Sequence, residues 1–574
     1  MAKIIDVISR MLPAGSVFGG GQSVRPCPFW PPDLFAVAAT LVEANGVYAH
    51  PCFTNGWQDG MYAFDAAYVR EVQRLGRRWA ASPFNPPREL KRLWRTLLNF
   101  GDQEIGSFDP KDTRWPKALL KMMAVADEAS AGAGFGPEEG NMTPVAYISF
   151  EQMLKAEVEP EAPRVLKHLP FSLCHMVPPD VACVQPKTNT PEIGCTLRSL
   201  SHHLALLPPR GVVEADWLYS NLDQSIKPLN LLLVPFPYVV HGKDFSQVPQ
   251  AEVHSEGSDR YFRVSPGWLP RKDGAIDTQR ITNFIRLLVA AARTEVSEVH
   301  GIVFPESALS DADCETIAEA VARSHLPIEL FVCGTVAATN LDADAKSTHR
   351  NAAFTARLDN GGMLRRWRQG KHHRWRLEKQ QIRRYHLGHV LDPGNEHDSG
   401  IMWWEQTDLW PRRCTFSVIR RGASLAVLIC EDLARFDPVL PVINAVGPNL
   451  VIALLMDGQQ WERRWPGRYA SVLADDPGSS VLTLTCLGMI RRSWMPGENQ
   501  RQTVALWKEP GNVAKELDLP PDHHALLVSL TMSNEKQVSL DMRDDGRQTV
   551  RFRLSAARGV RLQQDAIDDW PDLP

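Results

Sequence analysis

The stretch SLAVLICEDL, Ser424–Leu433, decides the fold. Leu425 to Ile429 run without a polar interruption, and the run stops at Cys430 followed by two acids. A short, continuous, β-branched-rich apolar run bounded by polar residues reads as a strand buried on both faces. Cys430 then falls at the strand end, where an open α/β sheet presents reactive groups to its loops. Runs of the same kind lie on either side: LNLLLVPFPYVV from Leu229, VHGIVFPES from Val299, IELFVCGTV from Ile328, NAAFTARLD from Asn351, NLVIALLMD from Asn449, SVLTLTCLG from Ser480, TVALWKE from Thr503 and HALLVSLTM from His524. Helical spacing of apolar residues separates some of them, over 277–293 and 311–323. The alternation is too regular for a helical bundle and predicts an α/β layered sandwich. There are no heptads and no repeat of fixed period.

The whole chain has 574 residues, which is more than one folded unit. Hydrophobic residues make up 44% and charged residues 23%, so wholesale disorder is excluded. A net charge of −4 excludes a global basic field. The ten cysteines form no CxxC pair, which excludes a zinc ribbon or a disulfide framework. Cys174, His175, Cys183, Cys195, His202 and His203 match no zinc spacing, so neither a metal nor a cofactor is expected. GGGQS at Gly19–Ser23 lacks the Lys of a phosphate loop and reads as a turn. The first residues carry an acid and a base inside an apolar stretch, unlike a signal peptide. The apolar run Leu229–Val240 holds two prolines and falls short of the ~20 residues of a membrane helix. A cytoplasmic protein without membrane partners is the expectation.

The texture changes near residue 205. Before it, helical spacing runs over 33–44, 65–81, 87–100 and 115–130 between proline-rich connections, some of them ended by glycine-rich stretches such as AGAGFGPEEG at 131–140. The expected organisation is a mainly α-helical N-terminal domain over 1–205, a linker over 206–228, an α/β domain over 229–545 and a C-terminal tail over 546–574.

Three polar residues sit at or near strand ends: Glu306 in FPES, Lys371 in the loop WRQGKHHRW, and Cys430. A thiolate is the best protein nucleophile near neutral pH. A desolvated carboxylate can take its proton, and an ammonium can stabilise the oxyanion of a tetrahedral intermediate. Together they suit attack on an amide or nitrile carbon through a thioester. In this order, FPE, GKHHRW and LICEDL resemble the glutamate, lysine and cysteine motifs of the nitrilase superfamily of carbon–nitrogen hydrolases, over roughly Leu229 to Met532. The cysteine motif is especially similar to that of glutaminase domains of glutamine-dependent NAD synthetases, although the nucleotide loop of the synthetase is absent. The resemblance implies a four-layer αββα sandwich, often paired into homo-oligomers. It implies Cys430 as nucleophile, Glu306 as general base and acid, and Lys371 as oxyanion stabiliser, with the backbone N–H of Glu431 as second donor. Asp432 is implied to shape the nucleophile turn. Many members have a second glutamate after the lysine, and Glu378 is the expected one here. Trp367-Arg368-Gln369-Gly370 departs from the family's pattern beside the lysine, and Glu396–Arg413 reads as an extra loop over the pocket.

Residues 365–384 hold nine bases and one acid, interleaved with Trp367 and Trp375. Arg368, Arg374 and Arg376 are candidate anchors for an anionic ligand. Nucleic acid stacking on the aromatics is the less favoured use of the stretch, behind a solvated or ion-paired face. The expected partner is a small amide-type substrate, and the arginines suggest an anionic one. Two other functions stay open: a regulatory or defence-type effector with a partner on the N-terminal region, and a soluble acyl transferase that passes the thioester to an amine.

Overall fold

The computed structural model describes residues 2–13, 26–52, 64–107, 112–134, 143–149, 151, 172–218, 227–249, 260–324, 326–336, 351–359, 362–391, 402–495, 497, 500–544, 549–563 and 570–571. The GGGQS turn, residues 135–140 of the glycine-rich stretch and residues 396–401 of the expected loop lie outside them.

The chain folds as a mixed α/β protein around two seven-stranded sheets. The first runs, edge to edge, Gly362–Gly370, Asn351–Asp359, Leu330–Val336, Gly301–Ser310, Leu229–Leu233, Ala525–Glu535 and Thr549–Val560. Its three central strands are parallel and its flanks antiparallel. The second runs Lys515–Asp518, Thr503–Lys508, Ser480–Thr485, Leu450–Leu455, Ser424–Ile429, Arg413–Val418 and Glu214–Leu218, again with parallel central strands.

The unbroken apolar runs have a direct cause in this arrangement. Successive strand residues point to opposite faces. Leu425, Val427, Ile429, Ile452 and Leu454 join a core shared with Val303, Phe304 and Leu232 of the first sheet. Their neighbours Ala426, Leu428, Val451 and Ala453 join a different core on the outer face. Both faces are covered, so neither can be polar. Helices Thr278–Ala292 and Asp311–Ala322 pack on the first sheet, and Trp465–Asp475 on the second.

The N-terminal helices are Ile4–Met11, Pro31–Ala44, Ala66–Ala80, Arg88–Asn99 and Arg114–Ala129. The last four fall within two residues of the periodicity reading. The division of the chain differs from expectation, for a packing reason. The apolar stripes of these helices close on the outer face of the second sheet, in one core with Cys414, Phe416, Leu433 and Ile443. Residues 1–205 are therefore not a freestanding domain. The expected linker contains Glu214–Leu218, the edge strand beside Arg413–Val418. The expected tail contains Thr549–Val560, paired along its length with Ala525–Glu535. Both strands alternate more than the central ones and have weaker apolar signals. No helix among the described residues is long and apolar enough to cross a membrane.

Candidate active site

Gly362–Gly370 is a strand, not the start of a loop, and it delivers Lys371 at its end. It forms a hairpin with Asn351–Asp359. Gln369 fastens this edge to the second sheet: its Nε2 donates to the Val427 carbonyl at 2.8 Å, and its Oε1 accepts from Thr415 N–H at 2.8 Å. The lysine strand is thereby held against the cysteine strand.

Glu306 lies inside Gly301–Ser310, where pairing with Leu330–Val336 slips between Cys333 and Thr335. Gly334 sits at the slip. A Cβ there would collide with the backbone of Pro305 and Glu306, so only glycine lets the glutamate strand bulge. Ser307 adopts a φ of 57°.

Cys430 has a φ of 44°, a left-handed conformation disfavoured for a side-chain-bearing residue and common at functional turns. It opens a short 3-10 turn, Cys430–Leu433, at the end of its strand. The N–H of Glu431 belongs to the first residues of that turn, whose donors lack intrahelical partners. The Glu431 carboxylate turns away to Arg435 Nη2 at 2.6 Å. Asp432 is buried and accepts from the His372 N–H at 3.0 Å, while His372 Nδ1 lies 3.1 Å from its second oxygen. His372 Nε2 donates to the Arg413 carbonyl at 2.8 Å. Asp432 thus ties the nucleophile turn to the residue after Lys371.

Lys371 is fully buried, and its ammonium is shared between two carboxylates. Nζ is 2.7 Å from Glu306 Oε1 and 2.7 Å from Glu405 Oε2. Asn351 Nδ2 donates to both glutamates, at 2.7 Å each. Trp375 N–H donates to Glu405 Oε2 at 3.0 Å. Burial pulls the Lys371 ammonium down, but the two carboxylates outweigh it and hold it well above its usual range. Burial pushes Glu306 up, only partly offset by Lys371. Burial also pushes the Cys430 thiol well above its ordinary range, with Glu306 adding to the rise and Lys371 opposing it. A neutral thiol, a carboxylate with a raised proton affinity and a permanent cation therefore meet in one dry site. Glu306 Oε2 has no hydrogen-bond partner among the described residues.

The structure brings Glu306, Lys371, Cys430, the Glu431 N–H and Asp432 together. It does not bring Glu378. That carboxylate is 53% exposed, pairs with Arg376, and its backbone caps the helix Lys379–Arg384. The carboxylate that shares Lys371 with Glu306 is Glu405 instead, from the strand Trp403–Glu405 in the segment expected to be an extra loop. Proximity to Lys371 in sequence favours Glu378, but Glu378 follows the buried Leu377 and faces out at the start of the helix Lys379–Arg384. Nothing local in the sequence Trp403-Trp404-Glu405 marks the glutamate; the alternation buried, half-buried, buried exists only in the fold.

Two of the three candidate anion anchors, Arg368 and Arg376, are ion-paired with carboxylates of the chain itself. Arg368 Nε reaches Asp311 at 3.0 Å and its Nη1 reaches Glu315 at 3.4 Å. Arg376 pairs with Glu378 and lies over Trp404, and Arg374 lies over Tyr261. Much of the basic stretch is an ion-paired face. No group of His, Cys, Asp and Glu able to hold a metal occurs among the described residues.

No family model and no curated protein matches the chain. Among solved structures it is similar to Nit3 of Saccharomyces cerevisiae, a member of branch 10 of the nitrilase superfamily. That match has 13% identity and a TM-score of 0.31, and covers 54% of this chain and 93% of Nit3. It is similar to a glutamine-dependent NAD+ synthetase from Acinetobacter baumannii, at 12% identity and a TM-score of 0.29, over 59% of this chain and 49% of that one. It is also similar to a carbon–nitrogen hydrolase from Helicobacter pylori G27, at 9% identity and a TM-score of 0.26, over 59% of this chain and 87% of that one.

Proposed function

We propose that this protein is a cysteine hydrolase of a non-peptide carbon–nitrogen bond of the amide or nitrile type. One observation carries the reading: a buried ammonium, Lys371, bridges Glu306 at the bulge of its strand and Glu405 at the end of another, beside a left-handed cysteine. A purely structural ion pair has no need of a strained thiol beside it. The αββα layering of sheets and helices, with the N-terminal helices added on one outer face, belongs to the same reading.

In this reading Glu306 takes the Cys430 proton as Sγ attacks the carbonyl carbon. The carbonyl π electrons move to oxygen, and Lys371 with the Glu431 N–H stabilises the oxyanion. Collapse breaks the C–N bond, and the proton on Glu306 passes to the leaving amine. Glu306 then deprotonates a water that attacks the thioester, releasing the acid and restoring the thiol. Glu405 positions Lys371 and keeps it charged.

The test is ammonia release from a panel of small primary amides by the wild type and by Cys430→Ala, Glu306→Gln and Lys371→Ala. Each variant should lose at least about a hundredfold in kcat, the scale of removing one nucleophile, base or oxyanion donor. Turnover retained in all three overturns the reading.

A further inference from the structure

The parallel strand beside the cysteine strand ends in Leu450–Leu455, with Ile429 opposite Leu454. Two residues on is Asp457, at the same end of the sheet as Cys430. Its backbone is pinned from both sides by Thr485: Asp457 N–H donates to Thr485 Oγ1 at 3.0 Å, and that hydroxyl donates to the Asp457 carbonyl at 2.6 Å. One carboxylate oxygen is fully used. Oδ1 accepts from Tyr385 O–H at 2.6 Å and from Arg464 Nη2 at 3.0 Å. The other, Oδ2, is buried and has no hydrogen-bond partner among the described residues. An unpaired buried carboxylate oxygen is costly unless something else satisfies it.

Two unpartnered buried acceptors belong to groups whose charge acts on the thiol, Glu306 Oε2 and Asp457 Oδ2. The carboxylates of Glu306, Glu405 and Asp457 outnumber the cations of Lys371 and Arg464. Cys430, Tyr385 and Cys486 all feel the charge of Asp457.

We infer that Asp457 is a specificity-determining anchor for an ammonium group on the substrate, so that the site takes small cationic amino-amides in preference to neutral or anionic ones. The inference rests on Cys430 being the nucleophile of the proposed hydrolase. Asp457 Oδ2 accepts from the substrate ammonium while the scissile carbonyl lies at Sγ. Tyr385 and Arg464 hold the carboxylate in place through Oδ1 and leave Oδ2 without a partner among the described residues.

The test uses three chloroacetamides of matched size, carrying N-aminoethyl, N-propyl or N-carboxymethyl groups. Alkylation of Cys430 in the full-length protein is followed by peptide mass spectrometry, and each rate is divided by the same probe's rate with mercaptoethanol. The ammonium probe should label Cys430 about tenfold faster than the propyl probe, the effect of one favourable charge contact. The carboxylate probe should be slowest. In Asp457→Asn, which keeps the side-chain size and an acceptor for Tyr385, the ammonium preference should fall to about one. A wild-type ratio of one or less overturns the anchor whatever the variant does, and a preference that persists in the variant removes Asp457 from the role. If no probe labels Cys430 while the exposed Cys195 reacts, the nucleophile itself is wrong and both readings fall.

Discussion

At the scale of single residues, the site turns on how many carboxylates one buried lysine can serve. With Glu306 alone, Lys371 would face a general base whose proton affinity changes during the reaction. Glu405 gives it a second, constant partner, held by Asn351 Nδ2 and the Trp375 N–H. Burial pushes the Glu405 carboxyl up, but Lys371 and these donors outweigh it, and it stays ionised below its ordinary range. Glu405→Gln should therefore lower kcat by about a hundredfold or more, with a smaller effect on KM. Glu378→Gln should leave both within about twofold, because a solvent-exposed ion pair contributes little. Steady-state kinetics on the best amide of the panel checks both, and equal losses in the two variants would contradict the assignment of Glu405.

At the scale of elements, Asp432 couples two turns from different sheets. Replacing it with Ala leaves the His372 backbone N–H buried without its acceptor. The expected cost is about 1–3 kcal/mol in urea unfolding, since an abandoned buried donor carries its own desolvation penalty. Turnover should fall as well, because the Lys371 loop loses its tether; a variant with wild-type turnover would show that the turn positions itself. This is also the scale at which the sequence was most and least legible. Central strands announce themselves by unbroken apolar runs, since both their faces are covered. Cys430 and Glu306 were readable because they end or interrupt such runs. The edge strands Glu214–Leu218 and Thr549–Val560 read as linker and tail in the sequence, because a half-covered strand mixes polar and apolar residues. Glu405 was not readable: it lies 34 residues from Lys371, and only the sheet that pairs Trp403–Glu405 with Arg260–Val264 and Arg376–Leu377 brings it back.

At the scale of the whole molecule, a buried polar knot joins distant parts of the chain. Arg543 reaches Asp127 at 3.1 Å and Asp541 at 2.8 Å, and donates to the Leu200 carbonyl at 2.8 Å. Arg543→Met should cost about 3–5 kcal/mol in urea unfolding, because it strands buried carboxylates. A loss below 1 kcal/mol would show that the helices dock by apolar contact alone. His202 belongs to the same knot, with Nδ1 at 2.8 Å from Thr190 Oγ1 and Nε2 on the Arg543 carbonyl. Burial, with the Arg543 charge, pulls its ring down to about 3. The folded value lies below the unfolded one of about 6.5, so the unfolded chain takes the proton first. That contribution to stability is full above about pH 6.5 and is lost as pH falls toward 3. His202→Gln should make the loss of stability between pH 6 and 4 shallower, by up to about 1.4 kcal/mol per pH unit. Identical slopes in the two proteins would remove the histidine from the acid response. The knot also sets a timetable for synthesis. Asp127 and Arg543 are 416 residues apart, and the sheet face that covers the first helices is itself completed late. At roughly 5–20 residues per second on the ribosome, those apolar helix faces stay uncovered for tens of seconds. The exposure to aggregation during synthesis is therefore concentrated in the earliest-made segment, far in sequence from the residues proposed to do the chemistry.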